Sequence, residues 1–168
     1  INISFLRARE NITDVQHLSR GIGDTTDTEI SSVRRPTDRF MNLNVFFQDY
    51  LPMNENFKMH LNLSVGTGLP FGLKENNIVR RNQFEFAAYH RVDIGFAYQL
   101  WDKERRARKP RHPLRFARSA WLSLEIFNLL EIANTASNTW IKTIYNTQYA
   151  IPNNLTSRRI NLRLKMDF

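Results

Sequence analysis

The residues Arg159-Ile160-Asn161-Leu162-Arg163-Leu164-Lys165-Met166-Asp167-Phe168 decide the fold class. Ile160, Leu162, Leu164, Met166 and Phe168 alternate with Asn161, Arg163, Lys165 and Asp167, so one face of the segment is wholly apolar and the other wholly polar. A period of two is the side-chain repeat of a β-strand, and no helix sorts its residues this way. In a soluble sandwich such a strand reads as core inside and solvent outside. In a membrane barrel it reads as lipid outside and lumen inside.

The alternation recurs upstream. Phe57, Met59, Leu61, Leu63 and Val65 alternate with Lys58, His60, Asn62 and Ser64. Val92, Ile94, Phe96, Tyr98 and Leu100 alternate with Arg91, Asp93, Gly95, Ala97 and Gln99. Met41, Leu43, Val45 and Phe47 form a third set, Leu122, Leu124 and Ile126 a fourth, and Ile1, Ile3 and Phe5 the tail of another. The pattern predicts six strands, over 1–9, 39–51, 57–66, 89–101, 118–128 and 157–168. Several exceed the roughly 5–6 residues usual in soluble proteins and match the roughly 9–11 of a tilted bilayer-crossing strand. The expected architecture is therefore all-β: antiparallel transmembrane β-barrel strands, about six in number. Met59, Leu61, Leu63, Ile94, Phe96, Leu124, Ile160, Leu162, Leu164 and Met166 are the expected lipid-facing residues. Polar-face residues such as Asp93 and Asn161 are expected to tolerate substitution far better. Phe40, Tyr50, Tyr89, Trp101, Trp121 and Phe168 fall near strand ends, where barrels carry aromatic girdles.

The connections 10–38, 67–88 and 129–156 are long, whereas Pro52-Met53-Asn54-Glu55-Asn56 reads as a tight turn. Long loops on one side and short turns on the other are a barrel habit. The connection 102–117 departs from it. Residues 102–118 carry eight Lys or Arg against two acids, a net of +6 within a formal total of +8, which leaves only +2 elsewhere. A basic protein invites a nucleic-acid reading, but one basic connection is a different object from a basic sheet face. A solvated turn is the expectation for 103–111, and no nucleic-acid partner is expected.

The chain has no cysteine, which excludes disulfides and thiolate metal sites. His17, His60, His90 and His112 are scattered without metal-ligand spacing. Gly66, Gly68 and Gly72 lack the Lys-Ser/Thr of a phosphate loop. No catalytic constellation, cofactor or metal site is expected. Arg80, Arg81, Trp140 and Tyr145 are loop residues with the chemistry to contact a ligand.

Three stretches, 89–101, 120–135 and 149–168, resemble the C-terminal barrel of TonB-dependent outer-membrane receptors of the Bacteroidetes type. Asn128-Leu129, Tyr149, Pro152, Arg159 and Phe168 match the final hairpin of that family. The resemblance implies a plugged barrel of about 22 strands, of which these six are the C-terminal part. It implies a plug domain and TonB box upstream of Ile1, and transport of a solute driven through TonB. It places the chain in the bacterial outer membrane, in contact with lipid and with the rest of the barrel. It makes Phe168 part of a signal read by the barrel-insertion machinery. It also makes 10–38, 67–88 and 129–156 extracellular, and 52–56 and 102–117 periplasmic. Two other readings compete: a complete small outer-membrane barrel of about eight strands with an adhesion or structural role, and a soluble basic β-protein binding nucleic acid. The first needs two further strands within 10–38 or 136–148.

Overall fold

A computed structural model describes residues 1–11, 18–19, 25–26, 28–29, 32–72, 82–104, 112–155 and 157–168. The protein is all-β, with no helix among the described residues. Six strands form one antiparallel sheet: β1 (Asn2–Phe5), β6 (Met41–Leu51), β7 (Asn54–Gly66), β10 (Tyr89–Asp102), β11 (Ser119–Phe127) and β14 (Arg159–Asp167). Their spatial order is their chain order, so the sheet is a meander, and β1 and β14 are its two edges. The remaining strands pair only within the long connections: β2 (Arg9–Glu10) with β5 (Val33–Arg34), β3 (Leu18–Ser19) with β4 (Thr28–Glu29), β8 (Pro70–Phe71) with β9 (Phe84–Glu85), and β12 (Thr135–Lys142) with β13 (Gln148–Asn154).

The register joins the alternating patterns into two continuous faces. Ile3 lies opposite Leu43, Leu43 opposite Val65, and Val45 opposite Leu63. Leu61 then faces Ile94, Ile94 faces Ile126, and Ile126 faces Ile160. Met59, Phe96, Leu124 and Leu162 form a second such row. Every residue expected to face lipid falls on this one side. On the other side Asn62, Asp93 and Phe46 share a row, as do His60, Gly95, Glu125 and Asn161.

Burial is inverted relative to a water-soluble core. Asp93 is 7% exposed and Glu125 8%, whereas Ile160 is 71% and Leu162 68%. The usual preference puts Leu and Ile inside and Asp and Glu outside. No second layer covers the apolar face among the described residues.

Two details depart from the simple alternation. A bulge between Gln99 and Trp101 leaves Leu100 unpaired and brings Trp101 opposite Ala120. An extra residue of this kind reverses side-chain facing beyond it. The reversal puts Trp101 on the apolar side with Ala120 and Met166, yet it is only 3% exposed there, because residues of the connection cover it. It stacks on His112 at 4.6 Å, and its indole N–H donates to the Ala117 carbonyl at 3.0 Å. Together with Ala117 and Ala120 it forms a small apolar core beneath the start and end of the basic connection. Tyr50 and Trp121 also depart from the girdle expectation, because their register partners Lys58, Gln99 and Lys165 put them on the polar face.

The second detail is the β12–β13 hairpin, within a connection read from sequence as a long loop. Its strands are largely exposed on both sides, so they lack the one-sided burial that makes alternation visible. Polar cross-strand bonds tie them instead: Asn153 Nδ2 donates to Ser137 Oγ at 3.1 Å and to Thr139 Oγ1 at 2.9 Å.

At the opposite end of the sheet, β6 turns into β7 through Pro52 and Met53 alone. Met53 has φ 69°, a left-handed conformation that costs an ordinary residue roughly 1–2 kcal/mol. Met53 is fully exposed, so its side chain returns nothing by packing. Met53→Gly is expected to raise stability by about 1 kcal/mol, read as a higher urea midpoint of the folded protein. A lower midpoint would count against a left-handed residue in this turn.

Candidate functional site

All three long connections leave from the same end of the sheet, and their roots are joined by charged and amide groups. Val33 and Arg34 pair with Arg9 and Glu10, which brings Asp38 beneath the start of the first connection. The Ala8 N–H donates to Asp38 Oδ1 at 2.8 Å, and Arg34 Nε donates to Asp38 Oδ2 at 2.8 Å. The same guanidinium reaches Glu85 of the second connection, Nη2 to Oε1 at 2.6 Å. Asn82 Nδ2 donates to the Arg34 carbonyl at 2.7 Å. Arg34 thus fastens the first connection to the second. Burial opposes ionisation of Asp38, but the Ala8 amide and the Arg34 guanidinium outweigh it and hold its pKa below the ordinary 3.8. Hydrogen bonds to Asp38 and Glu85 raise the Arg34 pKa, so this cation stays charged.

The third connection is rooted by two asparagines. Asn128 ends β11 with φ 52°, a left-handed conformation that asparagine tolerates better than most residues. Its side chain accepts from the Ile132 N–H at 3.2 Å and donates to the Ile132 carbonyl at 3.0 Å, closing the turn. Its own N–H donates to Asp93 Oδ1 at 2.8 Å, and the Leu129 N–H donates to the Val92 carbonyl at 2.7 Å. Asn134 then pairs with the backbone of His90, accepting at 3.0 Å and donating at 2.8 Å. The Asn128-Leu129 pair, noticed in the sequence as a motif, is the device by which the chain leaves the sheet.

Asp93 therefore carries more than a place on a polar wall. Besides the Asn128 amide it accepts from Arg91 Nε at 2.7 and 3.0 Å. Glu125 is similarly engaged, by Arg163 Nη2 at 2.7 Å and Asn161 Nδ2 at 3.0 Å. Near the turn end the Lys58 ammonium lies 4.4 Å from the Trp121 ring and 4.7 Å from that of Tyr50, within cation–π range. The His60 ring lies over Gly95, where a Cβ would meet the ring itself. Among the described residues no group of three or more His, Cys, Asp or Glu gathers to hold a metal. The polar face offers charge and hydrogen bonds for binding and positioning.

Of the loop residues singled out as ligand contacts, Arg80 and Arg81 lie outside the described residues, as does 105–111 of the basic segment. Trp140 is half-buried and lines a cleft of about 260 Å³ with Phe71, Phe86, Asn82 and Asn138. Phe71 and Phe86 stack there at 4.3 Å. Tyr145 sits exposed beyond the end of β12 and takes no part in that cleft. Phe168 is exposed and its ring stacks on Phe116 at 6.0 Å. Sequence reading missed Arg34, Asp38 and Asn134, whose partners lie up to 51 residues away.

No family model, no curated protein and no solved structure matches this chain.

The depressed pKa of Asp38 sets a pH dependence. A carboxylate with a lowered folded pKa stabilises the fold above its unfolded value, and that contribution fades as pH falls through the folded value. The Ala8 amide is expected to stay protected from hydrogen exchange at neutral and mildly acidic pH and to lose protection at lower pH. In Asp38→Asn the protection should be weaker at neutral pH and nearly independent of pH. Identical profiles for the two proteins would contradict this account of the clamp.

Proposed function

We propose that this chain forms the C-terminal strands of a TonB-dependent transporter in the bacterial outer membrane, walling the pore and carrying extracellular loops that meet the solute. The observation that carries the membrane part is the continuous apolar face across six strands, half-buried at its centre and exposed toward β14, with Asp93 and Glu125 buried on the opposite side. In water that arrangement leaves a large apolar surface without cover. In hydrocarbon the same face is solvated by lipid, and the buried carboxylates face a polar lumen. The open edges at β1 and β14 suit a sheet continued by further strands, since only a closed barrel satisfies every strand in lipid.

The family part rests on the resemblance of 89–101, 120–135 and 149–168. Under it, the remaining barrel and the plug are the partners of this segment, TonB acts through the plug, and Phe168 is read by the insertion machinery. The part is one of passage and binding rather than catalysis. Pairing of β2–β5, β3–β4, β8–β9 and β12–β13 within their own loops speaks against a complete eight-stranded barrel drawn from this chain. In the sequence the basic run falls between β10 and β11 rather than within the strands of one sheet face, as a nucleic-acid surface would have it.

Two experiments on the complete protein test this reading. Leu162→Arg, mid-strand on the apolar face, is expected to destabilise the barrel by about 2–4 kcal/mol in lipid vesicles. The neighbouring Asn161→Ala, which loses one hydrogen bond to Glu125, should cost about 1 kcal/mol. Equal costs would put the wrong face toward lipid.

The second concerns orientation. A cysteine replacing the exposed Tyr145 should react with a membrane-impermeant maleimide on intact cells, and one replacing Met53 should react only after the cells are opened. The reverse pattern would invert the topology.

A further inference from the structure

Several cations at the loop roots have acidic partners, and Arg39 lies among them. Arg34 is bound by Asp38 and Glu85, Arg35 lies 3.6 Å from Glu10, and Arg158 lies 3.2 Å from Glu131. The Arg39 guanidinium has only the Tyr89 ring, 5.7 Å from its Cζ. Its Nε is enclosed by protein and meets no hydrogen-bond acceptor. A guanidinium cannot shed its charge to escape this situation, because its pKa lies far above any physiological pH.

Beside Arg39 lies a cavity of about 180 Å³, lined among the described residues by Gly68, Leu69, Ala87, Tyr89, Asn134, Thr135, Ala136 and Leu155 as well. No carboxylate is among these described residues. The other polar groups are committed: Thr135 Oγ1 donates to Asn154, and Asn134 is bound to His90. The rest of the wall is largely aliphatic. The cavity depends on a close backbone approach at Gly68, where a Cβ would collide with the Phe86 carbonyl. It sits where the roots of all three long connections meet.

We infer that this cavity binds a small monocarboxylate, its oxygens on the two Nη groups of Arg39 and its short aliphatic body against Leu69, Ala87, Ala136 and Leu155. One guanidinium balances one carboxylate and presents two parallel donors that match it. A phosphate dianion would remain half compensated, and an uncharged polyol would leave the cation unbalanced. The inference rests on the outer-membrane reading only in giving the ligand an extracellular route.

The test uses the complete protein in detergent with sodium butyrate as probe, followed by calorimetry and ligand-observed NMR. Butyrate should bind the wild type. Arg39→Gln should weaken binding at least tenfold, and Arg39→Lys should weaken it less. Ala136→Leu, which leaves the guanidinium in place and fills the cavity, should also lower affinity. Inorganic phosphate at the same concentration should compete poorly. Undiminished binding in Arg39→Gln, no butyrate binding in the wild type, or equal competition by phosphate would each overturn the proposal. The heat-dependent electrophoretic shift of a closed barrel, recorded on the same samples, reports the barrel separately. Absence of butyrate binding in the wild type with the shift intact counts against the Arg39 site alone, and absence of the shift in the wild type counts against the barrel.

Discussion

Register is the constraint on which the rest of this structure depends. The six strands sort their residues into an apolar and a polar set, with Phe46, Asp49 and Tyr50 of β6 out of step, but only in-phase pairing merges the sets into two faces. Ile94 pairs with Leu61 on one side and Ile126 on the other, and that alignment continues to Ile160. A slip of one residue anywhere would place a row of leucines among Asp93, Glu125 and Arg163. The bulge at Leu100 is tolerated because it lies at the end of β10, where only Trp101 and Asp102 follow before the chain leaves the sheet.

Charge on the polar face follows from that alignment. A buried carboxylate is costly unless it is paired and hydrogen-bonded. Asp93 and Glu125 each gain two neighbouring donor groups by standing in register with, or beside, Arg91, Asn128, Asn161 and Arg163. Replacing Asp93 would strand Arg91 and the Asn128 amide together, so it is not the freely variable wall residue that alternation alone suggests. Asn161 is nearer that description, since Arg163 continues to serve Glu125 without it.

The two ends of the sheet are built by different means. At the turn end, β6 and β7 are joined by two residues, and a compact group around Trp101, Ala117 and Ala120 seats the flanks of the basic connection. At the loop end the chain is held by side chains rather than by a core: Arg34, Asp38, Asn82, Asn128 and Asn134 bind backbone or one another across the connections. Polar clamps of this kind fix the positions of loop roots while leaving the loops beyond them free to vary in sequence. Arg39 stands among them with an enclosed Nε that meets no acceptor.

The residues alone determine the strands and their two faces, because alternation is a local record of one-sided burial and survives in any segment that is apolar on one side. They also place the basic segment between β10 and β11, while Asn128-Leu129 stands out only through the family resemblance. They do not reveal the β12–β13 hairpin, since its two exposed faces leave no contrast to read. Nor do they reveal the bulge that pairs Trp101 with Ala120, the cover that His112 gives Trp101, or the turn of Tyr50 and Trp121 toward Lys58. The Arg34 clamp and the Arg39 cavity lie further still from the sequence. They exist only because pairing of distant strands brings 34 beside 85 and 39 beside 89 and 135, and no local pattern encodes a neighbour that is close in space and remote along the chain.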